Sequence, residues 1–203
     1  MKAVGTGGGR LCFSHGFDES VSVMLGLSRG TVRVVPYQRE WAALFAREAA
    51  LLRALMGAAA LAFEHIGSTA VEGMDAKPII DLMVAVESLD AAEVWIPALE
   101  AAGYEFRPDT GVPDRLFFAK GPRRLRTHHL SLAGPTSEFY VQKLLFRDFL
   151  RRHADAREEY RALKLRLARA HPEDRAAYTE GKRAFVERVL SLAAAETQGG
   201  SPA

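Results

Sequence analysis

Two neighbouring predicted strands carry the residues most suggestive of chemistry: the first ends in Gly67-Ser68 and the second carries Asp81. Gly67 lets the backbone approach a ligand closely, and the hydroxyls and amides of Ser68 and Thr69 can bind phosphate oxygens. Asp81 can hold a divalent cation whose other ligands are phosphate oxygens and water. Lys77 adds a positive charge for the same anion. This spacing predicts a phosphate pocket that holds Mg²⁺ or Mn²⁺.

A later predicted strand adds two adjacent histidines. Strand alternation places Thr127, His129 and Ser131 on one face, while His128 shares the other face with Leu130. We therefore expect His129 to face the pocket and His128 to pack or to cap. The alternative, that both histidines only satisfy local hydrogen bonds at a sheet edge, stays open.

Five further polar residues each allow a functional and a structural interpretation. Glu64 could supply a second carboxylate to the metal, although most such residues are exposed or ion-paired. His65 could act in the site, or it could bond the glycine loop and fix its shape. Arg126, Arg147 and Lys164 are candidate phosphate ligands. For the two that lie on predicted helices, a solvated charge or an Arg–Asp pair is the alternative.

The elements that must position these residues follow from apolar periodicity and from glycine and proline stops. Strands are predicted at 32–35, 61–66, 79–86, 104–107, 115–120 and 125–132. Helices are predicted at 38–56, 90–102, 137–153, 155–170 and 172–195. Runs of strands followed by runs of helices indicate the α+β class. The predicted organisation is a flexible extension over 1–30, an α/β core over 31–134, a helical part packed on it over 135–195, and a disordered tail over 196–203.

Composition excludes several classes of protein. The chain has 203 residues, 48% of them hydrophobic, which suits one globular domain. The single cysteine, Cys12, excludes an internal disulfide framework, and we expect a cytoplasmic protein without a signal peptide. The longest run without polar residues, 54–63, is too short to cross a membrane. The net charge of +2 is too small to indicate a nucleic-acid partner, so such a partner is disfavoured.

The Gly-Ser segment resembles the pattern of the nucleotidyltransferase superfamily. That pattern begins with a hydrophobic residue, then Gly, then Gly or Ser. After nine to thirteen further residues come Asp, a hydrophobic residue, and Asp or Glu. Here Ile66-Gly67-Ser68 is followed by twelve residues and then by Asp81. The resemblance implies two-metal phosphoryl transfer through both carboxylates. The second carboxylate is replaced by Met83, which favours binding without transfer.

The chain from about 32 to 193 also resembles the GrpB family, a group with the nucleotidyltransferase-like fold. The resemblance is carried by ordered motifs: Pro36-Tyr37 with Trp41 and Phe45, Glu64 through Val71, Ala76 through Asp81, Thr127 through Leu130, Phe146 through Arg151, Tyr160 with Leu163-Lys164, and Tyr178 with Lys182. It implies a mixed sheet flanked by helices and followed by a helical C-terminal part. The family usually has His-His-Leu-His on the last strand, whereas this chain has Ser131 in the final position. Fusion of the same domain to dephospho-CoA kinase in some bacteria suggests coenzyme A metabolism.

Two functions follow as hypotheses. In the first, a metal-dependent enzyme transfers a nucleotidyl group from a nucleoside triphosphate to an unknown acceptor. Ser68 and the Gly67 amide would hold the triphosphate, Asp81 would hold the metal, and His129 or Arg126 would stabilise developing charge. In the alternative, the same pocket binds a nucleotide or a coenzyme A precursor without catalysis, or serves as a partner domain.

Overall fold

In the computed structural model, which describes residues 23–108 and 111–199, a five-stranded mixed sheet is flanked by helices. The strands are β1 (Ala62–Ile66), β2 (Ile80–Ala85), β3 (Tyr104–Phe106), β4 (Leu116–Lys120) and β5 (His128–Ala133). The helices are α1 (Glu40–Met56), α2 (Leu89–Ala92), α3 (Ile96–Ala101), α4 (Glu138–Arg152), α5 (Ala154–Ala170), α6 (Arg175–Glu180) and α7 (Arg183–Gly199). The predicted α+β class is confirmed.

The strand order is β1-β2-β5-β4-β3, and only β2 and β5 run parallel to each other. β2 lies in the interior of the sheet, as its continuous apolar sequence predicts. Its register sets Asp81 beside Ile66 of β1 on one side and beside His129 of β5 on the other. Paired residues share a face of the sheet, so the carboxylate and the imidazole are neighbours.

Each face of the sheet has its own apolar layer. Leu82 and Leu130 lie in the larger core with Trp41 and Leu52 of α1. On the opposite face, Met83 lies in a smaller apolar cluster with Tyr140 of α4, Ala85 and Ala133. A third cluster joins α4, α5 and α7 to the segment that follows β1. The C-terminal helices therefore cover the face of the sheet that carries Asp81.

Two predicted elements before the helical part differ from the structure. The predicted strand 32–35 is reduced to a single bridge between Val35 and Ala76, because the Val32 amide donates to the carbonyl of Pro172 instead of to a strand. The predicted helix 90–102 begins one residue earlier, since the Ser88 hydroxyl accepts the Ala91 amide. A 3₁₀ turn then separates α2 from α3, where Pro97 cannot donate a helical hydrogen bond.

The predicted last helix, 172–195, is two helices. Pro172 lies before the first, and the Asp174 carboxylate caps it by accepting the Ala177 amide. Gly181 marks the break, and α7 continues to Gly199. The prediction of a disordered tail was therefore wrong for residues 196–199, while 200–203 lie outside the described residues.

The prediction of a flexible extension was wrong for residues 23–30. The Gly26 amide donates to the Pro78 carbonyl at 2.7 Å, and Leu27 forms a bridge with Arg126. Val23, Met24 and Leu25 pack against the larger core. These apolar contacts fix the segment to the sheet despite its glycines. The rest of the predicted extension, 1–22, lies outside the described residues.

Candidate functional site

The loop after β1 brings the predicted Gly67-Ser68 motif against Asp81. Gly67 adopts φ +72°, and Ser68–Ala70 form one 3₁₀ turn. A Cβ atom added at Gly67 would lie 2.5 Å from Asp81 Oδ2 and 3.1 Å from Asp81 Cβ. Only glycine therefore permits this backbone conformation and leaves room for the carboxylate.

Asp81 and His129 form a hydrogen-bonded pair, with 2.9 Å between His129 Nδ1 and Asp81 Oδ1. Burial raises the pKa of Asp81, but the hydrogen bond from His129 and the charges of Lys77 and Lys143 outweigh it and hold the pKa below 3.8. Because the carboxylate is ionised at neutral pH, His129 Nδ1 carries a proton and donates it. In the neutral imidazole this leaves Nε2 as the proton-accepting nitrogen.

A cavity of about 690 Å³ opens beside this pair and extends towards α4–α7. The Gly67–Thr69 loop, Asp81 and His129 contribute to its sheet side. Seven lysine and arginine side chains line it: Lys77, Arg115, Lys143, Lys164, Arg175, Lys182 and Arg183. Its carboxylates are three: Asp81, Glu180 and Glu187. This excess of positive charge in a concave site favours an anionic ligand.

Burial lowers the pKa of all four lysines that line the cavity, Lys77, Lys143, Lys164 and Lys182. Burial, with the charge of Arg175, lowers the pKa of Lys77 to about 8. Burial together with a neighbouring lysine charge lowers the pKa of Lys164 and of Lys182 to about 7. An anion between them would relieve both the repulsion and the loss of hydration. Lys164, only 2% exposed, donates to the Asp75 carbonyl, so it forms part of the cavity wall.

Arg115 reaches the cavity from β4. Its guanidinium lies over the rings of Phe117 and Phe139, at 4.5 and 4.9 Å from their centroids. One of its NH groups donates to the Ser131 hydroxyl at 3.3 Å, while its buried Nε has no partner among the described residues. Burial lowers its pKa to about 10, which leaves it charged at neutral pH. An anion would provide an acceptor for this group.

The structure does not bring Arg126 to the large cavity. Its guanidinium donates to the carbonyls of Ala119 and Gly121, and it forms an ion pair with Glu105. These contacts fix the turn between β4 and β5. Arg126 borders only a narrow gap of about 10 Å³ beside Lys77 and His129.

Arg147 and Glu64 bind each other, with 2.6 Å between Arg147 Nη1 and Glu64 Oε2. Arg147 also donates to the His65 carbonyl at 3.1 Å and forms an ion pair with Asp148. Four residues along α4, Arg151 donates twice to the Ala70 carbonyl. The two arginines therefore hold both ends of the Gly-Ser loop, and neither lines the cavity.

The donors do not fit the two-metal centre that the superfamily resemblance implies. Glu64, the expected second carboxylate, is bound to Arg147, and Met83 is fully buried in an apolar cluster. Across residues 23–108 and 111–199, no three His, Cys, Asp or Glu side chains are grouped as metal ligands. Asp81 is the one carboxylate of the expected pair that faces the cavity.

His65 and His128 have structural roles. His65 Nε2 is hydrogen-bonded to the Thr69 hydroxyl at 3.0 Å, and its ring stacks on Phe45. Burial lowers the pKa of His65 to about 4, so it is neutral and fixes the loop. The Thr69 hydroxyl, which was predicted to bind phosphate, therefore has a hydrogen-bond partner within the loop. His128 lies on the sheet face away from the cavity, and its Nδ1 is hydrogen-bonded to the Thr127 hydroxyl.

Lys143 and Arg175 line the cavity without having been predicted to do so. Each lies on a helix, α4 for Lys143 and α6 for Arg175, in a sequence that resembles an ordinary solvated surface. Lys143 lies one helical turn before Arg147, so the spacing places both side chains on one face of the helix. It does not predict that Lys143 lines the cavity while Arg147 binds the His65 carbonyl.

Replacing Arg147 with alanine is expected to lower the free energy of unfolding by about 2 kcal/mol, since it removes hydrogen bonds to Glu64 and to a backbone carbonyl. Arg152→Ala is the matched control, because Arg152 is 53% exposed and, among the described residues, its ion-pair partner is the exposed Glu196. We expect the control to change stability by less than about 0.5 kcal/mol. Urea denaturation measures both values, and equal losses would contradict the anchoring role.

The described residues contain no helix that is both long and apolar enough to cross a membrane.

Comparison with known proteins gives one family. The model of the GrpB protein family matches residues 31–192. A crystal structure of the conserved protein GrpB from Enterococcus faecalis superposes with a TM-score of 0.76 at 34% identity, covering 82% of this chain and 99% of that one. The UPF0157 protein YqkA of Bacillus subtilis is 35% identical over 156 residues, 77% of this chain and 45% of YqkA.

A dephospho-CoA kinase of Mycolicibacterium paratuberculosis is 33% identical over 165 residues. The match covers 68% of this chain but 40% of the kinase. This chain thus spans less than half the length of both YqkA and the kinase.

Proposed function

The chain belongs to the GrpB family, and we propose that its cavity binds a small molecule with two or more phosphate groups, of the nucleoside triphosphate or coenzyme A precursor type. One observation carries this proposal: seven cationic side chains line a cavity that begins at the Gly67-Ser68 loop. Such a cluster is suited to phosphate oxygens rather than to a neutral ligand.

The proposed phosphate position lies between the loop and the lysines. Gly67, Ser68 and Thr69 line this part of the cavity, and Lys77 lines it too, near enough to Asp81 for its charge to lower the pKa of that carboxyl. The rest of the ligand would extend along Tyr178 and Lys182 towards α7. A cavity of about 690 Å³ is large enough for a nucleotide.

One feature of the fold and one comparison support this ligand class. The strand that ends in Gly-Ser lies beside the strand that carries Asp81. This arrangement agrees with the nucleotidyltransferase-like fold, and our proposal includes membership of that superfamily. The partial likeness to a dephospho-CoA kinase supports a ligand from coenzyme A chemistry.

Nucleotidyl transfer is the second candidate, and the Asp81–His129 pair favours it. In this reaction an acceptor hydroxyl would attack the α-phosphorus, its proton would pass to His129 Nε2, and pyrophosphate would leave. A divalent cation on Asp81 would supply charge neutralisation to the triphosphate. Because Glu64 is bound to Arg147 and Met83 stands where the second carboxylate is expected, binding without transfer is the function that the geometry supports better.

Titration calorimetry tests the first proposal with pyrophosphate and ATP as ligands and adenosine as the control. We expect pyrophosphate and ATP to bind without Mg²⁺ and adenosine not to bind. Absence of binding by both phosphate compounds would refute the proposal. Pyrophosphate release from ATP with Mg²⁺, lost in Asp81→Asn, would establish the transfer reaction instead.

Binding of pyrophosphate is expected to tighten as the pH falls from about 8.5 to about 6.5, by roughly tenfold or more. The unliganded pKa values of Lys77, Lys164 and Lys182 are about 8, 7 and 7, so these amines gain protons as the pH falls through this interval. An anion favours their charged forms, and binding therefore takes up protons. Calorimetry in buffers of different ionisation enthalpy measures this uptake. An affinity that is constant or rises with pH would contradict it.

A further inference from the structure

Arg115 has donor groups that the fold leaves unused. A guanidinium carries five N–H groups. Over residues 23–108 and 111–199, one of those of Arg115 has an acceptor, the Ser131 hydroxyl at 3.3 Å, while the buried Nε has none. Arg147, in contrast, binds two carboxylates and a backbone carbonyl. A donor set that the chain leaves unsatisfied is costly, and a ligand that brings acceptor oxygens would relieve this cost.

Aromatic rings hold the Arg115 guanidinium in one orientation. It lies over the rings of Phe117 and Phe139, which leaves its N–H groups, directed outward in the guanidinium plane, to bind oxygen atoms. Lys143 Nζ lies 5.3 Å from the centroid of the same Phe139 ring. Burial and the charge of Arg115 lower the pKa of Lys143, so the two cations lie close together. Both line the cavity, and we call this pair the Arg115 subsite.

The strand register separates the Arg115 subsite from the Gly67-Ser68 loop. The loop follows the residue of antiparallel β1 that pairs with Asp81, so it lies towards the start of β2. Ser131, which accepts from Arg115, comes two residues after the residue of parallel β5 that pairs with Asp81, so it lies towards the end of β2. At about 3.3 Å per residue, the two levels are about 10 Å apart along β2.

Asp81 and His129 lie between these two cationic ends. The pKa of Asp81 is lowered from 3.8, so its carboxylate is ionised and repels an adjacent phosphate. Its Oδ1 is bound to His129 Nδ1, and its other oxygen can accept a hydrogen bond from a hydroxyl group. The Nε2 atom of the neutral imidazole is a second acceptor for such a group. The ends of the site therefore suit anions, and the middle suits hydroxyl groups.

We propose that the cavity binds a sugar that carries phosphate groups on two different carbons, an inference that rests on the phosphate-binding function proposed above. One phosphate binds at the Gly67-Ser68 loop with Lys77, and the other binds at the Arg115 subsite. Sugar hydroxyls between them contact the pair formed by Asp81 and His129. A base on the sugar would extend towards α7, so nucleoside bisphosphates belong to the same class. A cavity of about 690 Å³ has room for either.

Titration calorimetry on the wild-type protein tests this ligand class. Fructose 1,6-bisphosphate carries two separated phosphates, fructose 6-phosphate carries one, and hexane-1,6-diol bisphosphate carries two without hydroxyls between them. We expect the first to bind at least about tenfold more tightly than either of the others. Adenosine 3′,5′-bisphosphate against adenosine 5′-monophosphate repeats the comparison with a base attached. The bisphosphate that binds more tightly identifies a sugar phosphate or a nucleotide as the source. Equal affinities of mono- and bisphosphate in both series would overturn the proposal.

Arg115→Gln should weaken binding of fructose 1,6-bisphosphate by roughly tenfold or more. It should change the affinity for pyrophosphate, which binds at the Gly67-Ser68 loop, by less than about threefold. Retained pyrophosphate binding also shows that the variant is folded. Arg124→Gln is the matched control, because Arg124 is exposed in the turn before β5 and does not line the cavity. This control should leave both affinities unchanged.

The two proposals fail in different ways. Equal losses of bisphosphate and pyrophosphate binding in Arg115→Gln would overturn the separate subsite. If pyrophosphate binds to the wild-type protein but the second phosphate of the sugar adds no affinity, the bisphosphate inference fails alone. If none of the phosphate compounds binds, the phosphate-binding function fails with it.

Discussion

Alanine at position 67 is expected to lower the free energy of unfolding by about 3 kcal/mol and to abolish phosphate binding. Gly67 has φ +72°, a conformation that costs an alanine roughly 1 kcal/mol or more. The new Cβ would also lie 2.5 Å from Asp81 Oδ2, so the carboxylate or the loop must move. Moving either one breaks the arrangement of Asp81, His129 and the Ser68 turn.

Gly73 provides the matched control for this substitution. It lies in the same connection and has φ +75°, but a Cβ atom added there would meet nothing within 4 Å. Gly73→Ala should therefore lower the free energy of unfolding only by the backbone conformational cost, about 1 kcal/mol, and should keep its affinity for pyrophosphate. Urea denaturation and calorimetry measure the two quantities. Equal stability losses, or binding retained by Gly67→Ala, would show that the contact with Asp81 is unimportant.

Local sequence predicted the centre of the site because short-range rules define it. Strand alternation was sufficient to place His129 on the side of the cavity and His128 on the other side. The apolar run of β2 predicted an interior strand, and the constrained loop before it predicted that Gly67 and Asp81 would meet. These inferences needed only the period of a strand and the chemistry of glycine.

The roles of the charged residues could not be predicted in this way, because they depend on distant partners. Arg147 and Glu64 are 83 residues apart, and only the packing of α4 on β1 brings them together. The same packing binds Glu64 to Arg147, which removes Glu64 as the second carboxylate expected beside Asp81. Arg126 is drawn instead to Glu105 at the other end of the sheet. A charge on a helix or strand has no preferred partner until the layers are assembled.

The cavity wall was missed for a related reason. Lys143 and Arg175 lie on α4 and α6, and they face one space only because α4–α7 cover the sheet face that bears Asp81. The break at Gly181, which separates α6 from α7, was not predicted. Without it Lys182 would lie in the middle of a continuous helix. The periodicity of 172–195 does not distinguish one long helix from two short ones.

Neutralising Lys77 and Lys182 together, as Lys77→Gln with Lys182→Gln, is expected to weaken pyrophosphate binding by roughly a hundredfold or more. Each amine can form a charge-assisted contact with a phosphate oxygen, and both line the cavity. The control, Arg39→Gln with Arg53→Gln, also removes two basic side chains. Because neither arginine lines the cavity, we expect this control to change the affinity by less than about threefold. Calorimetry at fixed ionic strength compares the two double variants.

The same double variant separates a binding role from a structural one through its stability without ligand. The folded pKa values of Lys77 and Lys182, about 8 and 7, lie below the usual 10.5, so the fold opposes both charges. Between these values and 10.5 the unfolded chain binds more protons than the folded one, and wild-type stability rises with pH in that window. The variant lacks these amines, so it should be at least as stable as the wild type near pH 6.5 and should lose this rise. A variant that is less stable but still binds pyrophosphate would mean that the lysines support the fold rather than the ligand.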